Sequence, residues 1–400
     1  MQNAAAFNPQ CPSGLTSYIF STNFWILSGR SESLKQAPAN WYDTLTQWFE
    51  EIGYQQSTAD PCLFIHKERG SYIFFHVDDL LVAGNVNHFE ELFLKRFPNS
   101  TAHDPDTLLG MDISIKDNTV KLSQEKLIKK GLEMLGMTEC RLVNTPLSVG
   151  IQITSASKEE LEEFQKLSIN YRTFTGILNY LSCRTRPDLA PAVSILSSFN
   201  NSPGINHWKE LQHVWKYLKG SKELSLTLQP RTSDSKEGLE HYTDATWADD
   251  LNTRLSRSGS ICFWKNCPVA WNSKKQKNIT LSSTEAEMNA LADGAQENQW
   301  IKFVAEELWN EELQPTTFKI DNQGLIEKIK HFGSNSKTKH LDIKAKWLRD
   351  LNNKNEIVVQ LIPSEDMVAD TLTKASSSES LRRLQERCFL VHFSSSSGGC

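Results

Sequence analysis

Apolar residues along this 400-residue chain change their period several times, and each change predicts an element. From Asn40 to Gly53, NWYDTLTQWFEEIG sets Trp41, Leu45, Trp48, Phe49 and Ile52 at helical spacing, with Gly53 as the stop signal. The next stretch, PCLFIHKERGSYIFFHVDDLLVAG, predicts three short strands that turn at ERG and at two adjacent aspartates. A helix over 87–97, a strand pair in LLGMDISIKDNTVKLSQ and a helix ending at Gly136 follow. Residues 144–168 are polar and aperiodic and predict a linker. Helices are expected from Tyr171 to Leu181, broken near Pro187, and from His207 to Gly220. The first thirty residues carry weak periodicity and predict an irregular lead-in.

After a polar break at SDSKEG the order reverses and strands come first: LEHYTDATWA, then a meander in SGSICFWKNCPVAWNSKKQ. A long helix from Ser283 to about Leu308 is expected next, with Ser282 or Ser283 as N-cap. A strand at TTFKIDN, helices at 322–330 and about 339–352, a strand EIVVQLI and a last helix from near Glu365 complete the pattern. Such a succession predicts an α/β layer, a mixed sheet flanked by helices.

Composition narrows the class. With 39% hydrophobic residues, 23% charged and 11 tryptophans, the chain reads as globular. A net charge of −5 gives nucleic acid no global attraction, so such a partner would be held by the local runs SKKQK and SKTKH. These runs make Lys274, Lys275, Lys277, Lys339 and His340 candidate contacts. Eight scattered cysteines without a CxxC pair fit reduced thiols in the cytoplasm or nucleus and argue against zinc. No signal peptide is recognisable and no apolar run approaches the roughly 18 residues of a membrane span, so a membrane partner is not expected. The tail over 377–400 is expected to be partly disordered.

Asp244, Glu285, Asp321 and Asp370 stand where a carboxylate is awkward: two at strand ends and two at helix starts. Each alone has an ordinary role, since aspartates form turns and the macrodipole favours an acid in a first helical turn. Together they can converge on one edge of a sheet, where they repel one another unless divalent cations neutralise them. All-oxygen ligation suits Mg²⁺ or Mn²⁺. Two such ions about 4 Å apart can activate a water and stabilise the leaving oxygen of a phosphodiester. Glu287 lies about 200° round the helix from Glu285 and is expected to face elsewhere.

YTDATWA, SKKQKNITLSSTEAE, IDNQ, TKHLDIK and VADTLTK, in this order, resemble the ribonuclease H domain of Ty1/copia-type retrotransposon polyproteins. The resemblance implies an α/β ribonuclease H-like domain over 238–376 that cleaves the RNA strand of an RNA–DNA hybrid. It implies two Mg²⁺ (or Mn²⁺) ions held by Asp244, Glu285, Asp321 and Asp370. His340 would either shuttle protons or hydrogen-bond Asp342.

Upstream, SLKQAPANWYDTL, ADPCLF, FFHVDDLLVAGN, LLGMDISI and YRTFTGILNYLSCRTRPDLAPAVSILSSF resemble the reverse transcriptase of the same polyprotein. An α+β palm and thumb remnant over 34–147 and a helical connection over 148–237 are implied, with Asp78 and Asp79 as polymerase metal ligands and RNA and DNA as partners. Nucleotidyl transfer needs a third carboxylate from an earlier strand, yet residues 1–33 contain no aspartate. The expectation is therefore a polymerase that does not extend primers alone, unless a separate fingers fragment or other polyprotein parts complement it. A degenerate, non-catalytic nucleic-acid-binding remnant is the alternative from another class.

Overall fold

The computed structural model describes residues 17–22, 37–76, 79–98, 100–103, 105–116, 119–231, 237–330 and 339–392. These fall into two compact units. One lies within Met1–Leu109, Ile113–Asn118 and Trp300–Glu312, the other within Gly110–Asp112, Thr119–Gln299 and Leu313–Cys400.

The first unit is an α+β layer. Its sheet contains β1 (Ser17–Thr22), β2 (Gln55–Gln56), β3 (Leu63–His66), β4 (Ser71–His76), β5 (Asp79–Gly84) and β6 (Ser100–His103), in the order β2-β3-β4-β5-β1-β6. Residues 17–22, expected in an irregular lead-in, thus form a strand between β5 and β6. Strand β4 alternates as its sequence requires, burying Ser71, Ile73 and Phe75. Helices α1 (Ala37–Glu51) and α2 (Asn87–Arg96) close an aromatic core in which Phe49, Phe64, Phe75, Phe89 and Phe93 are each at most 3% exposed. Strands β7 (Thr107–Leu108) and β8 (Met111–Lys116) follow in the chain.

The second unit begins with β9 (Thr119–Ser123) and α3 (Glu125–Met134). The expected linker over 144–168 contains α4 (Lys158–Lys166), begun by a capping box in which Ser157 and Glu160 satisfy each other's backbone N–H. Its single buried residue, Phe164, is too little apolar signal for periodicity to register. Helices α5 (Tyr171–Arg184), α6 (Ala190–Ser197) and α7 (Ile205–Gly220) pack round Trp208, Leu211 and Trp215.

The break near Pro187 is a buried polar knot. Arg186, 1% exposed, forks onto both oxygens of Asp188 at 2.9 and 2.7 Å and also reaches the carbonyl and hydroxyl of Ser221. Tyr217 donates its hydroxyl proton to Asp188, and Gln385 donates to that hydroxyl at 2.7 Å.

Strand β10 (Leu224–Leu228) precedes the second sheet. That sheet holds β11 (Glu240–Thr246), β12 (Arg257–Trp264), β13 (Cys267–Lys275), β14 (Thr316–Ile320) and β15 (Ile357–Leu361), in the order β13-β12-β11-β14-β15. The first three strands are antiparallel; β14 runs parallel to β11 and β15 parallel to β14. This mixed α/β sheet, with helices between its parallel strands, is the ribonuclease H-like topology. Helices α8 (Ser283–Trp309), α9 (Gln323–Lys330) and α10 (Lys339–Asn353) come from the connections.

The helix expected near Glu365 is instead a pair of 3₁₀ turns, Ser364–Asp366 and Val368–Leu372. The helix proper, α11 (Ser378–Arg387), begins later under the cap of Ser377, and β16 (Leu390–His392) pairs with β10. Residues 378–392 of the expected tail are therefore structured, while 393–400 lie outside the described residues. Among the described residues no helix is long and apolar enough to cross a membrane.

The Arg186–Asp188 pair makes a prediction. Asp188→Ala leaves a guanidinium buried without its counter-charge and should cost about 3–5 kcal/mol in chemical denaturation. A loss below about 1 kcal/mol would show that the knot is not stabilising.

Candidate active site

Strand β11 is central and buried on both faces, and the polar atoms near its C-terminal end need partners from the layers above and below. Toward α8, Thr243 lies against Gly294, where a Cβ would come within 2.8 Å of the threonine methyl. On its other neighbour Asp244 stands opposite Gly259, and a Cβ there would meet the backbone oxygen of Ala369 at 2.7 Å. That glycine lets the 3₁₀ turn carrying Asp370 lie directly on the sheet. The parallel register runs Glu240↔Thr317 and Tyr242↔Lys319, so its next step sets Asp321 beside Asp244.

Carboxylate oxygens of Asp244, Glu287 and Asp321 come within 4.8 Å of one another. Asp244 is 7% exposed and Glu287 9%. Burial first, then the charges of Asp370 and Asp321, push the Asp244 carboxyl up to about 7. Burial also raises Glu287 to about 7, helped by Asp244 and Asp321 and opposed by a hydrogen bond from Asn322.

Neighbouring side chains orient the three acids. Asn322 caps α9 by accepting the Leu325 N–H at 3.0 Å and donates its amide to Glu287 Oε1 at 2.8 Å. Ser364 donates to Asp321 Oδ2 at 2.8 Å. Thr373 lies 3.5 Å from Asp244 Oδ2 and shares a 2.6 Å hydrogen bond with Thr246. The second oxygen of Glu287, Oε2, is buried with no hydrogen-bond partner.

A divalent cation fits this donor set. An octahedral ion bonded at about 2.1 Å spaces its ligand oxygens roughly 3–4 Å apart, close to the arrangement present, and only oxygens are offered. An orphaned carboxylate oxygen beside two other acids is the feature such an ion would satisfy.

The helix acid is Glu287, not Glu285 as expected. Helix α8 starts at Ser283, so Glu285 falls in the first turn, where unpaired N–H groups compete for it. Its carboxylate turns back to accept the Leu281 N–H at 2.7 Å, while the Ser282 hydroxyl accepts the Glu285 N–H at 3.2 Å. Both glutamates are buried, about 200° apart round the helix, and it is Glu287 whose carboxylate meets those of Asp244 and Asp321.

Asp370 raises the Asp244 carboxyl electrostatically, yet one of its oxygens is paired with Lys374. Asn322, Ser364 and Thr373 were not picked out from the sequence. Only Asn322 left a signal there, as an asparagine at the head of an amphipathic helix.

Of the basic candidates, Lys274 and Lys277 are exposed, whereas Lys275 is paired with Asp250 at 3.0 Å. Lys339 and His340 open α10, and their side chains lie outside the described residues. Asp79 heads β5 in register with His76, on the predicted hairpin; Asp78 lies outside the described residues.

A family model described as reverse transcriptase (RNA-dependent DNA polymerase) matches residues 11–149. The chain is 30% identical over 372 residues to the retrovirus-related Pol polyprotein from transposon RE2 of Arabidopsis thaliana, covering 92% of this chain and 25% of that protein. To the corresponding polyprotein from transposon TNT 1-94 of Nicotiana tabacum it is 30% identical over 355 residues, covering 85% and 26%. The chain thus spans about a quarter of the length of these curated relatives. Among solved structures, LC11-RNase H1 in complex with an RNA/DNA hybrid aligns at 14% identity and a TM-score of 0.28, covering 36% of this chain and 99% of that one. The chain is thus similar over most of its length to Ty1/copia-type retrotransposon Pol polyproteins, with a segment that matches the reverse-transcriptase family followed by a ribonuclease H-like fold.

Proposed function

We propose that residues 238–376 act as a ribonuclease H-type endonuclease that cuts the RNA strand of an RNA–DNA hybrid, leaving a 3′-hydroxyl. The observation that supports this reading is the convergence of Asp244, Glu287 and Asp321 within 4.8 Å, with one carboxylate oxygen left unsatisfied. Mg²⁺ or Mn²⁺, when bound, supplies Lewis acidity at the scissile phosphate and stabilises the departing oxygen. The protein's own part is positional. Asn322 fixes the rotamer of Glu287, Ser364 that of Asp321, and Thr373 borders Asp244, so the ligands are in place before substrate arrives.

Asp370 is the proposed ligand of a second ion, which would displace Lys374 from its carboxylate. Lys274 and Lys277 are the proposed phosphate contacts, and Lys275 is set aside because Asp250 holds it. Polymerase chemistry stays outside the proposal, since only Asp79 of the paired aspartates is described.

Cleavage of labelled hybrid in Mg²⁺ tests the assignment. Asp321→Asn and Glu287→Gln should each lower the rate about a hundredfold or more and abolish the rise in melting temperature that Mg²⁺ produces. Glu285→Gln should lose less than tenfold and keep that rise. Equal cleavage by wild type and Asp321→Asn contradicts the proposal, and loss of the Mg²⁺ effect in Glu285→Gln alone would return the ligand to that residue.

A second test uses the metal-free protein. Asp244 and Glu287 have folded pKa values raised to about 7, above the usual carboxylate range near 4. The folded state therefore holds extra protons between about pH 4 and 7. Their contribution to stability is complete below that window and is lost as pH rises through it. Asp244→Asn in EDTA at pH 8 should accordingly be more stable than wild type, by on the order of 1–3 kcal/mol. A less stable variant would mean that the acids do not strain the fold.

A further inference from the structure

Beside the carboxylates is a surface that the metal chemistry does not use. Trp247 follows Asp244 by three residues, within about 10 Å of chain, and is 49% exposed. Ile279 and Leu281, on the loop leading into α8, are 61% and 85% exposed. Large apolar side chains this open to water, next to a polar site, call for a covering partner.

The surface is also held in place. The Trp247 indole donates to the Thr280 carbonyl at 3.0 Å, tying one loop to the other. The Ser256 hydroxyl accepts the Ala248 N–H at 3.0 Å and is 2.9 Å from the Thr280 hydroxyl. Ala248 itself is in the left-handed region at φ 52°, which turns the chain just after the indole. Glu285, through the Leu281 N–H, fixes the end of the second loop. A side chain so anchored yet half exposed has lost its freedom without gaining burial, as a preorganised contact does.

We propose that Trp247, flanked by Ile279 and Leu281, is a stacking platform for the sugar and base of the nucleotide adjoining the scissile phosphate of a bound RNA–DNA hybrid. The inference rests on the ribonuclease H reading above and deepens it. Electrostatics argue for the occupant. The carboxylates of the site repel a phosphate backbone and the exposed Lys274 and Lys277 attract it, so a contact that does not depend on charge adds to what those two lysines supply. Aromatic stacking on a base or sugar supplies such a contact, because every nucleotide has an apolar face. The platform makes Glu285 a positioning residue, a buried glutamate whose carboxylate holds the Leu281 N–H.

Fluorescence anisotropy with a labelled hybrid, in Ca²⁺ so that no strand is cut, reads the contact directly. Trp247→Ala should weaken binding about 10- to 100-fold, and Trp247→Phe by less than about fivefold. Both should keep the Mg²⁺-dependent rise in melting temperature, which a merely structural indole would not guarantee. Hybrid affinity for Trp247→Ala within twofold of wild type, with cleavage intact, overturns the platform and leaves the nuclease standing. Absence of hybrid binding by the wild-type chain overturns both.

Discussion

Mutual repulsion of carboxylates in a poorly hydrated place is the constraint round which the second unit is organised. Asp244 sits on a strand covered on both faces, Asp321 is the next rung of the neighbouring parallel strand, and Glu287 reaches them from α8. None of these placements is optional once the strand order is set: the register brings the aspartates together, and Gly294 brings the helix down onto β11. Gly259 admits the turn bearing Asp370. The fold thus concentrates negative charge where water cannot screen it. Only a cation, or protons at the expense of chemistry, relieves the repulsion.

The same helix that delivers Glu287 has its own demand at its N-terminus. Four N–H groups in the first turn lack intrahelical acceptors, and the loop before the helix adds that of Leu281. Glu285 and Ser282 meet part of that demand, so two acids two residues apart serve two different masters. The sequence shows that they point about 200° apart, but the expectation that Glu285 takes the azimuth of the metals differs from the cluster, which Glu287 joins. That choice depends on the helix's rotation about its axis, which is set by packing of Ala286 and Ala290 against Ala245 rather than by any local pattern.

Where the local pattern was clear, the architecture was legible: β4, β5, β14, α10 and β15, and α8 through its N-terminal serines, lie within a few residues of their expected positions. Legibility failed where tertiary contacts outweigh local preference. The segment EDMVADTLTK carries helix-like spacing, yet burial of Ala369 and Leu372 against the sheet tightens it into 3₁₀ turns. Helix α4 buries one side chain and announces itself mainly through its cap. Strand β1 has a weak pattern of its own, and its place is given by pairing with both β5 and β6.

Crystals soaked in Mn²⁺ and measured at the manganese absorption edge test the central claim most directly. The account predicts an anomalous peak bonded by oxygens of Asp244, Glu287 and Asp321 at about 2.1–2.2 Å. A peak ligated by Glu285 in place of Glu287, or no peak at saturating Mn²⁺ and pH 8, would contradict it.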